Sequence, residues 1–298
     1  MISPDLIKQW RSGLADGSIV PYLGPGVLAD VRSTIDGRAI PATSEQLILA
    51  MNDGKPMAPK LMYEFPRAAM NIELKRGRSA VTRFLDTTYG ATQWSRAALH
   101  DWLAVIAPAC VIDINRDRQL VDSYAATPHL LILGCARIGG TDYRFKLYAH
   151  DGDSYTKIDP GAADANFPIL LKPMGAPVPQ SSYIASDADY VDYITELMGG
   201  FAVPSFFKAW RKNKRYLFLG MRLNRDSERM VLSDLIYDAS SGSVGWALIA
   251  DPTDKERRFC KRRGIEIVAA TVDDLLSLSP ASSASSTPST ASTGAVTV

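Results

Sequence analysis

The last third of the chain alternates short, largely apolar segments with helical segments, and this alternation constrains the fold more than any other feature. Residues 216–220, 246–250 and 265–269 are runs of five mostly apolar residues, which predict strands. Residues 227–239 and 253–263 lie between them and predict helices. Such alternation is typical of βαβ units, whose strands form a parallel sheet covered by helices on both faces. The fold class is therefore predicted to be α/β.

Two further strands are predicted earlier in the chain, over residues 18–23 and 110–114, so that the whole resembles a Rossmann-like arrangement. Between them, residues from about 44 to 106 have helical patterns and predict a helical insertion. Residues from about 128 to 166 contain two strand-like segments separated by Gly139-Gly140. They predict a small antiparallel β excursion from the main sheet.

Composition separates one domain from a tail and narrows the classes of partner. Residues 279–298 are rich in Ser, Thr and Ala, which predicts a disordered tail after a single domain over residues 1–278. The formal net charge of +1 gives no electrostatic reason to expect binding to nucleic acid or a membrane surface. No apolar run reaches the roughly 18 residues that span a bilayer, and no secretory signal begins the chain.

The three cysteines are widely scattered and form no C-x-x-C pair. Neither a structural zinc site nor a disulfide framework is therefore predicted, and no metal-ligand spacing stands out elsewhere. A cytoplasmic location is the simplest expectation.

Three segments with potential ligand-binding residues each follow a predicted strand. They are Gly24-Pro25-Gly26, Asn115 with Asp117, and residues 220–226. In open parallel sheets, ligands bind at the carboxyl ends of the strands. A glycine turn there lets the backbone approach a diphosphate closely, and an amide with a carboxylate could hold a ribose and an amide-bearing base. Each segment also has a purely structural interpretation, as a tight turn, an Asx-turn or a surface ion pair.

The order of these segments resembles the sirtuins, and more closely the zinc-less sirtuin-like proteins of bacteria, from about residue 19 to about residue 276. Gly24-Pro25-Gly26, followed by Val27, is similar to the G-A-G or G-S-G phosphate turn of that family. Asn115 and Asp117 match the asparagine and aspartate of its T-Q-N-x-D motif, although the glutamine is absent. Gly220-Met221-Arg222 is similar to the G-x-S-L turn that meets the adenosine half of the cofactor.

Residues 172–175, Lys-Pro-Met-Gly, resemble the K-L-H-G element of the family, with Met174 in place of its histidine. The family histidine takes a proton from a ribose hydroxyl, and general-base help of this kind is typically worth ~10²- to 10⁴-fold in rate. A thioether has no ionisable group, so the chemistry of a deacylase is not expected.

The resemblance implies NAD as the cofactor, with Asn115 and Asp117 as catalytic residues. The implied cofactor-binding residues are Gly24, Pro25, Gly26, Val27, Asn115, Asp117, Met174, Gly220, Met221 and Arg222. We therefore expect a protein that binds NAD or an ADP-ribose derivative without protein deacylase activity, as a sensor or a partner-binding protein. A protein partner or a homo-oligomer is compatible with this expectation.

Two alternatives stay open at this point. The first is an NAD hydrolase that releases nicotinamide, since departure of the base can proceed from positioning alone. The second is a scaffold that binds no nucleotide and offers only a protein interface. His150 is a candidate replacement for the missing histidine, because His150-Asp-Gly152 imitates an H-G element. His100 and His129 lie in apolar segments and are expected to be structural.

Overall fold

The computed structural model describes residues 2–138, 143–164 and 166–278. The strands in these ranges are β1 (Ile19–Leu23), β2 (Cys110–Asp113), β3 (His129–Gly134), β4 (Phe145–His150), β5 (Tyr155–Lys157), β6 (Ile169–Lys172), β7 (Gly175–Ala176), β8 (Ser182–Tyr183), β9 (Arg215–Leu219), β10 (Gly245–Leu248) and β11 (Ile265–Val268). The α-helices are α1 (Pro4–Ala15), α2 (Ser44–Met51), α3 (Phe65–Arg76), α4 (Arg78–Leu85), α5 (Ala98–Ile106), α6 (Gln119–Ser123), α7 (Asp187–Gly199), α8 (Ser205–Trp210), α9 (Asp226–Leu235), α10 (Asp254–Arg263) and α11 (Val272–Leu278).

Nine of the strands form one sheet, in the order β11-β10-β9-β1-β2-β6-β3-β4-β5. The seven strands from β11 to β3 are parallel, and antiparallel pairing occurs only at one edge of this sheet, where β4 pairs with β3 and β5 pairs with β4. The predicted α/β, Rossmann-like fold is confirmed. From β1 the chain proceeds to β2 on one side, and it later places β9 on the other side. Strand β1 therefore lies at a topological switch point, where ligands of open α/β sheets bind.

Side chains along the strands alternate between two hydrophobic cores, one on each face of the sheet. On β1, Ile19 and Leu23 belong to one core, whereas Val20 and Tyr22 belong to the other. The predicted helical insertion provides α2 to α5, which pack with α1 and α11 on the first face. Helices α7 to α10 pack on the second face. Both faces are therefore covered by helices, as the alternation of segments predicts.

The prediction of a separate β excursion over residues 128–166 is wrong in one respect. Strand β3 pairs in parallel with β6, with Leu131 opposite Leu170, and so belongs to the main sheet. It is buried along its whole length, as a strand with partners on both sides should be. Only β4 and β5 form an antiparallel extension. Gly139-Gly140 and the tail predicted for residues 279–298 both lie outside the described residues.

A network of ion pairs joins the helical insertion to the helices on the second face. At the start of α7, the carboxylate of Asp189 accepts a hydrogen bond of 3.0 Å from the N–H of Ser186, and Asp189 is buried. Its carboxylate pairs with Arg78 at the start of α4 and with Arg137, whose Nε lies 2.7 Å from Asp189 Oδ1. Arg137 also pairs with Glu73 of α3 at 2.6 Å. This network fixes the insertion over the carboxyl ends of the central strands.

Within the described ranges, no helix combines the length and the apolar character needed to cross a membrane.

Candidate functional site

A cleft with two connected parts runs along the carboxyl ends of the central strands. The inner part lies above β1, β2 and β6 and encloses a cavity of about 50 Å³. The outer part lies above β9, β10 and β11, and its cavity volume is about 550 Å³. Four residues line both parts, namely Pro25, Ser44, Arg225 and Glu228. The two parts therefore form one continuous cleft at the topological switch point.

The glycine turn after β1 packs directly against the loop after β9. The N–H of Gly26 donates to the carbonyl oxygen of Gly220 at 2.8 Å, and the N–H of Gly24 donates to the carbonyl oxygen of Leu219 at 2.9 Å. A Cβ atom on Gly24 would lie 2.8 Å from the backbone carbonyl oxygen of Gly220. Glycine is therefore required here for the close approach of two loops. Pro25 and Gly26 line the cleft, whereas Gly24 and the buried Val27 are not among its lining residues.

The loop after β9 provides Gly220, Met221 and Arg222 to the outer part of the cleft. The guanidinium of Arg222 is held by Glu256, with Nε and Nη2 at 2.9 and 3.1 Å from the two carboxylate oxygens. Glu256 is fully buried and forms the capping box of α10 with Thr253. The charge of Arg222 is therefore already compensated. Arg225, for which the sequence slightly favours surface ion pairing over phosphate contact, lines both parts of the cleft.

Asn115 links the loop after β2 to the glycine turn. Its Nδ2 donates to the carbonyl oxygen of Gly24 at 3.0 Å and to Asp113 Oδ1 at 2.8 Å. A side-chain amide has only two hydrogens to donate, so both are used within the protein. Asn115 lines the inner part of the cleft, and with both amide hydrogens bound its Oδ1 oxygen is left to accept a hydrogen bond. Asn115 therefore lies at the carboxyl edge of the sheet, as the sequence predicts. Its side chain can act there only as a hydrogen-bond acceptor.

Asp117 does not reach the surface of the cleft. It is 1% exposed and its Oδ1 accepts a hydrogen bond of 2.7 Å from the N–H of Gln119, at the start of α6. Its Oδ2 has no hydrogen-bond partner among the described residues, and burial raises the pKa of Asp117 to about 6. The motif supplies Arg116 to the cleft instead. Arg116 Nε and Nη2 donate to the carbonyl oxygen of Ile184 at 2.8 and 2.6 Å.

Met174 lies in the wall of the inner part, with 3% of its surface exposed. It stands two residues after Lys172, the last residue of β6. The position of the family histidine is thus part of the cleft, and a side chain without an ionisable group occupies it.

His150 cannot replace the missing histidine, because it lies at the opposite edge of the sheet. It pairs with His129 at the start of β3, and the two rings stack with centroids 4.6 Å apart. Lys172 at the cleft pairs instead with Leu133, four residues further along β3. At ~3.3 Å per residue, His150 is therefore about 13 Å from the carboxyl edge of the sheet.

His100 is fully buried on α5, and neither ring nitrogen has a hydrogen-bond partner among the described residues. Burial lowers the pKa of His100 to about 4, so the ring is neutral near pH 7. Residues 2–138, 143–164 and 166–278 contain no group of three or more His, Cys, Asp or Glu side chains that could hold a metal ion.

Much of the inner cleft is lined by residues that no motif indicated. They include the aromatic residues Phe65, Tyr89 and Tyr190 and the carboxylates Glu64 and Glu228. Tyr190 belongs to α7, the helix that follows Met174 in the sequence, whereas Phe65 and Tyr89 come from the helical insertion, where no motif occurs. Burial raises the pKa of Glu228 to about 7, which makes it a titratable group within the cleft.

Comparison with protein families matches residues 139–268 to the family described as SIR2-like domain. The matched segment includes Met174 and the loop after β9, whereas the glycine turn and Asn115 precede it. No curated protein matches the chain.

Proposed function

We propose that this cleft binds NAD or an ADP-ribose derivative without supporting protein deacylation, and the similarity of residues 139–268 to the SIR2-like domain supports the proposal. The observation that carries the proposal is the position of Asn115, which lines the cleft and whose NH₂ group is bound within the protein, so that its oxygen is left to accept. Such an oxygen can accept a hydrogen bond from a ribose hydroxyl or from water.

The linings of the two parts of the cleft differ in a way that suits the two halves of such a ligand. The inner part has the aromatic side chains of Phe65, Tyr89 and Tyr190, which can contact a flat base. The outer part has closely packed glycine loops, and Arg225 lies where the two parts join. A cation at this junction would favour a diphosphate between the two halves.

Met174 supports the proposal that deacylation is lost. Deacylation needs a base to activate a ribose hydroxyl against the acyl intermediate, and Met174 has no group that accepts a proton. The protein would then act through ligand binding, as a sensor or by presenting a ligand-dependent surface to a partner.

NAD hydrolysis is the second candidate, and two observations favour it. The oxygen of Asn115 could orient a water molecule or a ribose, and Glu228 provides a carboxylate with a pKa of about 7 in the same cleft. Departure of nicotinamide can be promoted by positioning and by electrostatic stabilisation, without a histidine.

A nicotinamide-release assay with purified protein and NAD separates the candidates, with Asn115→Ala as the matched variant. Binding without turnover supports the first candidate. Catalytic turnover that is lost in Asn115→Ala supports the hydrolase and contradicts a role in binding alone. Absence of both binding and turnover would contradict both candidates and leave a nucleotide-free scaffold.

A further inference from the structure

We infer that Asp113 and Lys172 are positioning residues that hold the side chain of Asn115 with its oxygen toward the cleft. The consequence for ligand binding rests on the proposed function, whereas the orientation of the Asn115 side chain rests on its contacts within the protein.

Asp113 and Lys172 form a fully buried ion pair beneath the cleft. They are the last residues of β2 and β6, which are neighbours in the sheet. Lys172 Nζ lies 2.5 Å from Asp113 Oδ2, and neither side chain has any exposed surface. A buried carboxylate is costly unless an opposite charge and hydrogen bonds satisfy it. Lys172 supplies the opposite charge at Oδ2 of Asp113, and Oδ1 remains available for another partner.

The second oxygen of Asp113 is used entirely by Asn115. Asp113 Oδ1 accepts from the backbone N–H of Asn115 at 2.9 Å and from its Nδ2 at 2.8 Å. The other Nδ2 hydrogen is directed to the carbonyl oxygen of Gly24. If the amide were flipped, Asn115 Oδ1 would face two acceptors and both hydrogen bonds would be lost. The pair thus selects one of the two orientations of the amide.

The fixed orientation of Asn115 limits which groups of a ligand it can bind. An asparagine held in this way presents only an acceptor, so the group that it binds must be a donor such as a ribose hydroxyl, a water molecule or a carboxamide N–H. A phosphate oxygen, which is itself an acceptor, is excluded from this position. Asn115 would therefore distinguish the sugar and base from the diphosphate, and so place the ligand along the cleft.

Two double variants separate the role of the acceptor from that of the buried charges. Asp113→Asn with Lys172→Gln removes both charges but keeps an oxygen that can accept from Asn115. Asp113→Val with Lys172→Met removes the charges and the acceptor, and an apolar pair in place of a buried ion pair often preserves stability. Thermal unfolding is measured first, to establish that both variants are folded.

The first readout needs no ligand. The side-chain amide protons of Asn115, assigned by their absence in Asn115→Ala, are followed by nuclear magnetic resonance. We expect them to be protected from solvent exchange in the wild type and in the first double variant, which keeps the acceptor. We expect protection to be lost in the second double variant, which lacks it. Equal protection in both variants, or none in the wild type, would overturn the positioning role.

The second readout is the affinity for NAD, measured by calorimetry. The first double variant should bind within about threefold of the wild type, and the second should bind at least tenfold more weakly. In an Asn115→Ala background the two double variants should bind equally, because their difference acts only through Asn115. A difference that persists in that background would show a general structural effect and contradict the inference. Failure of the wild type to bind NAD would contradict the proposed function, while the exchange measurement would still decide the positioning role.

Discussion

The backbone N–H of Gly26 donates a 2.8 Å hydrogen bond to the carbonyl oxygen of Gly220, so the loops after β1 and β9 meet across the topological switch point. This contact brings together two segments that are distant in the sequence. Asn115 adds the loop after β2 through its hydrogen bond to Gly24. The backbone of the glycine turn is therefore the common support of both parts of the cleft.

Substitution of Gly220 by alanine should destabilise the protein and weaken ligand binding. Gly220 has a φ of +64°, and a Cβ atom there would lie 2.4 Å from the backbone nitrogen of Val27. Backbone strain of this kind costs about 1–3 kcal/mol even before the clash is relieved. Gly242→Ala is a matched control, because no atom lies within 4 Å of its Cβ position. Urea unfolding should show a lower free energy of unfolding for Gly220→Ala alone. Equal stabilities of the two variants would contradict the close packing of the loops after β1 and β9.

Substitution of Met174 by histidine should create or increase nicotinamide release from NAD. The side chain lies in the wall of the inner cleft, so the new imidazole would be placed beside the ligand. We expect a rate at least about tenfold above that of the wild type. This is less than the ~10²- to 10⁴-fold that a general base usually contributes, because the surrounding residues are not arranged around an imidazole. The rate should rise with pH as the imidazole loses its proton. Met174→Leu, which adds no ionisable group, should leave the rate unchanged; if histidine gives no more than leucine does, position 174 does not face the reacting ribose.

Removal of His100 should reduce the loss of stability at acid pH. Burial lowers the pKa of His100 to about 4, against about 6.5 in an unfolded chain. The unfolded state therefore binds the extra proton first, and stability falls as the pH decreases from about 6.5 to about 4. Between about pH 7 and pH 4, the free energy of unfolding of His100→Leu should fall by up to roughly 3 kcal/mol less than that of the wild type.

Urea unfolding at a series of pH values measures this difference between His100→Leu and the wild type. The raised pKa of Asp117 gives a slope of opposite sign in the same range, because the folded state then binds its proton first. That contribution is present in both proteins and cancels in the comparison. Parallel stability curves would show that His100 is protonated or solvated in the folded protein.

Arg225 and Arg222 should differ in their effect on NAD affinity. Arg222 is held by Glu256, whereas Arg225 stacks with its Cζ 4.1 Å from the ring centroid of Tyr63 and lines both parts of the cleft. We expect Arg225→Gln to weaken NAD binding by about tenfold, in the range of a charge-assisted contact to phosphate. Arg222→Gln should change it by less than about threefold. Calorimetry at two salt concentrations tests this, and the reverse order of effects would show that Arg222 is the phosphate contact.

The fold could be predicted from the sequence largely because its strands are short apolar runs bounded by clear helical segments. Thr253 and Glu256, for example, begin α10 with a capping box that the sequence displays directly. The exception was β3, whose apolar run pairs with β6 as well as with β4. Which strands become neighbours depends on contacts between distant segments, and a local pattern does not contain that information.

The candidate site could be predicted only where it follows a strand end. Asn115 and Met174 lie in the cleft as predicted, because the carboxyl ends of parallel strands meet at one edge. Asp117 does not, since its carboxylate binds the N–H of Gln119, a local choice that the motif alone does not reveal. Phe65 and Tyr89 enter the cleft from the helical insertion, and their positions depend on how that insertion packs.

The most direct test of the account is calorimetry of the wild type and Asn115→Ala with NAD and with ADP-ribose. The wild type should bind at least one of them saturably, at one site per chain. Asn115→Ala should bind it at least about tenfold more weakly and unfold at a similar temperature, because the loss of one acceptor of the cleft affects the ligand more than the fold. Absence of heat and of any thermal shift with millimolar NAD or ADP-ribose would contradict the central claim that this cleft is a nucleotide site.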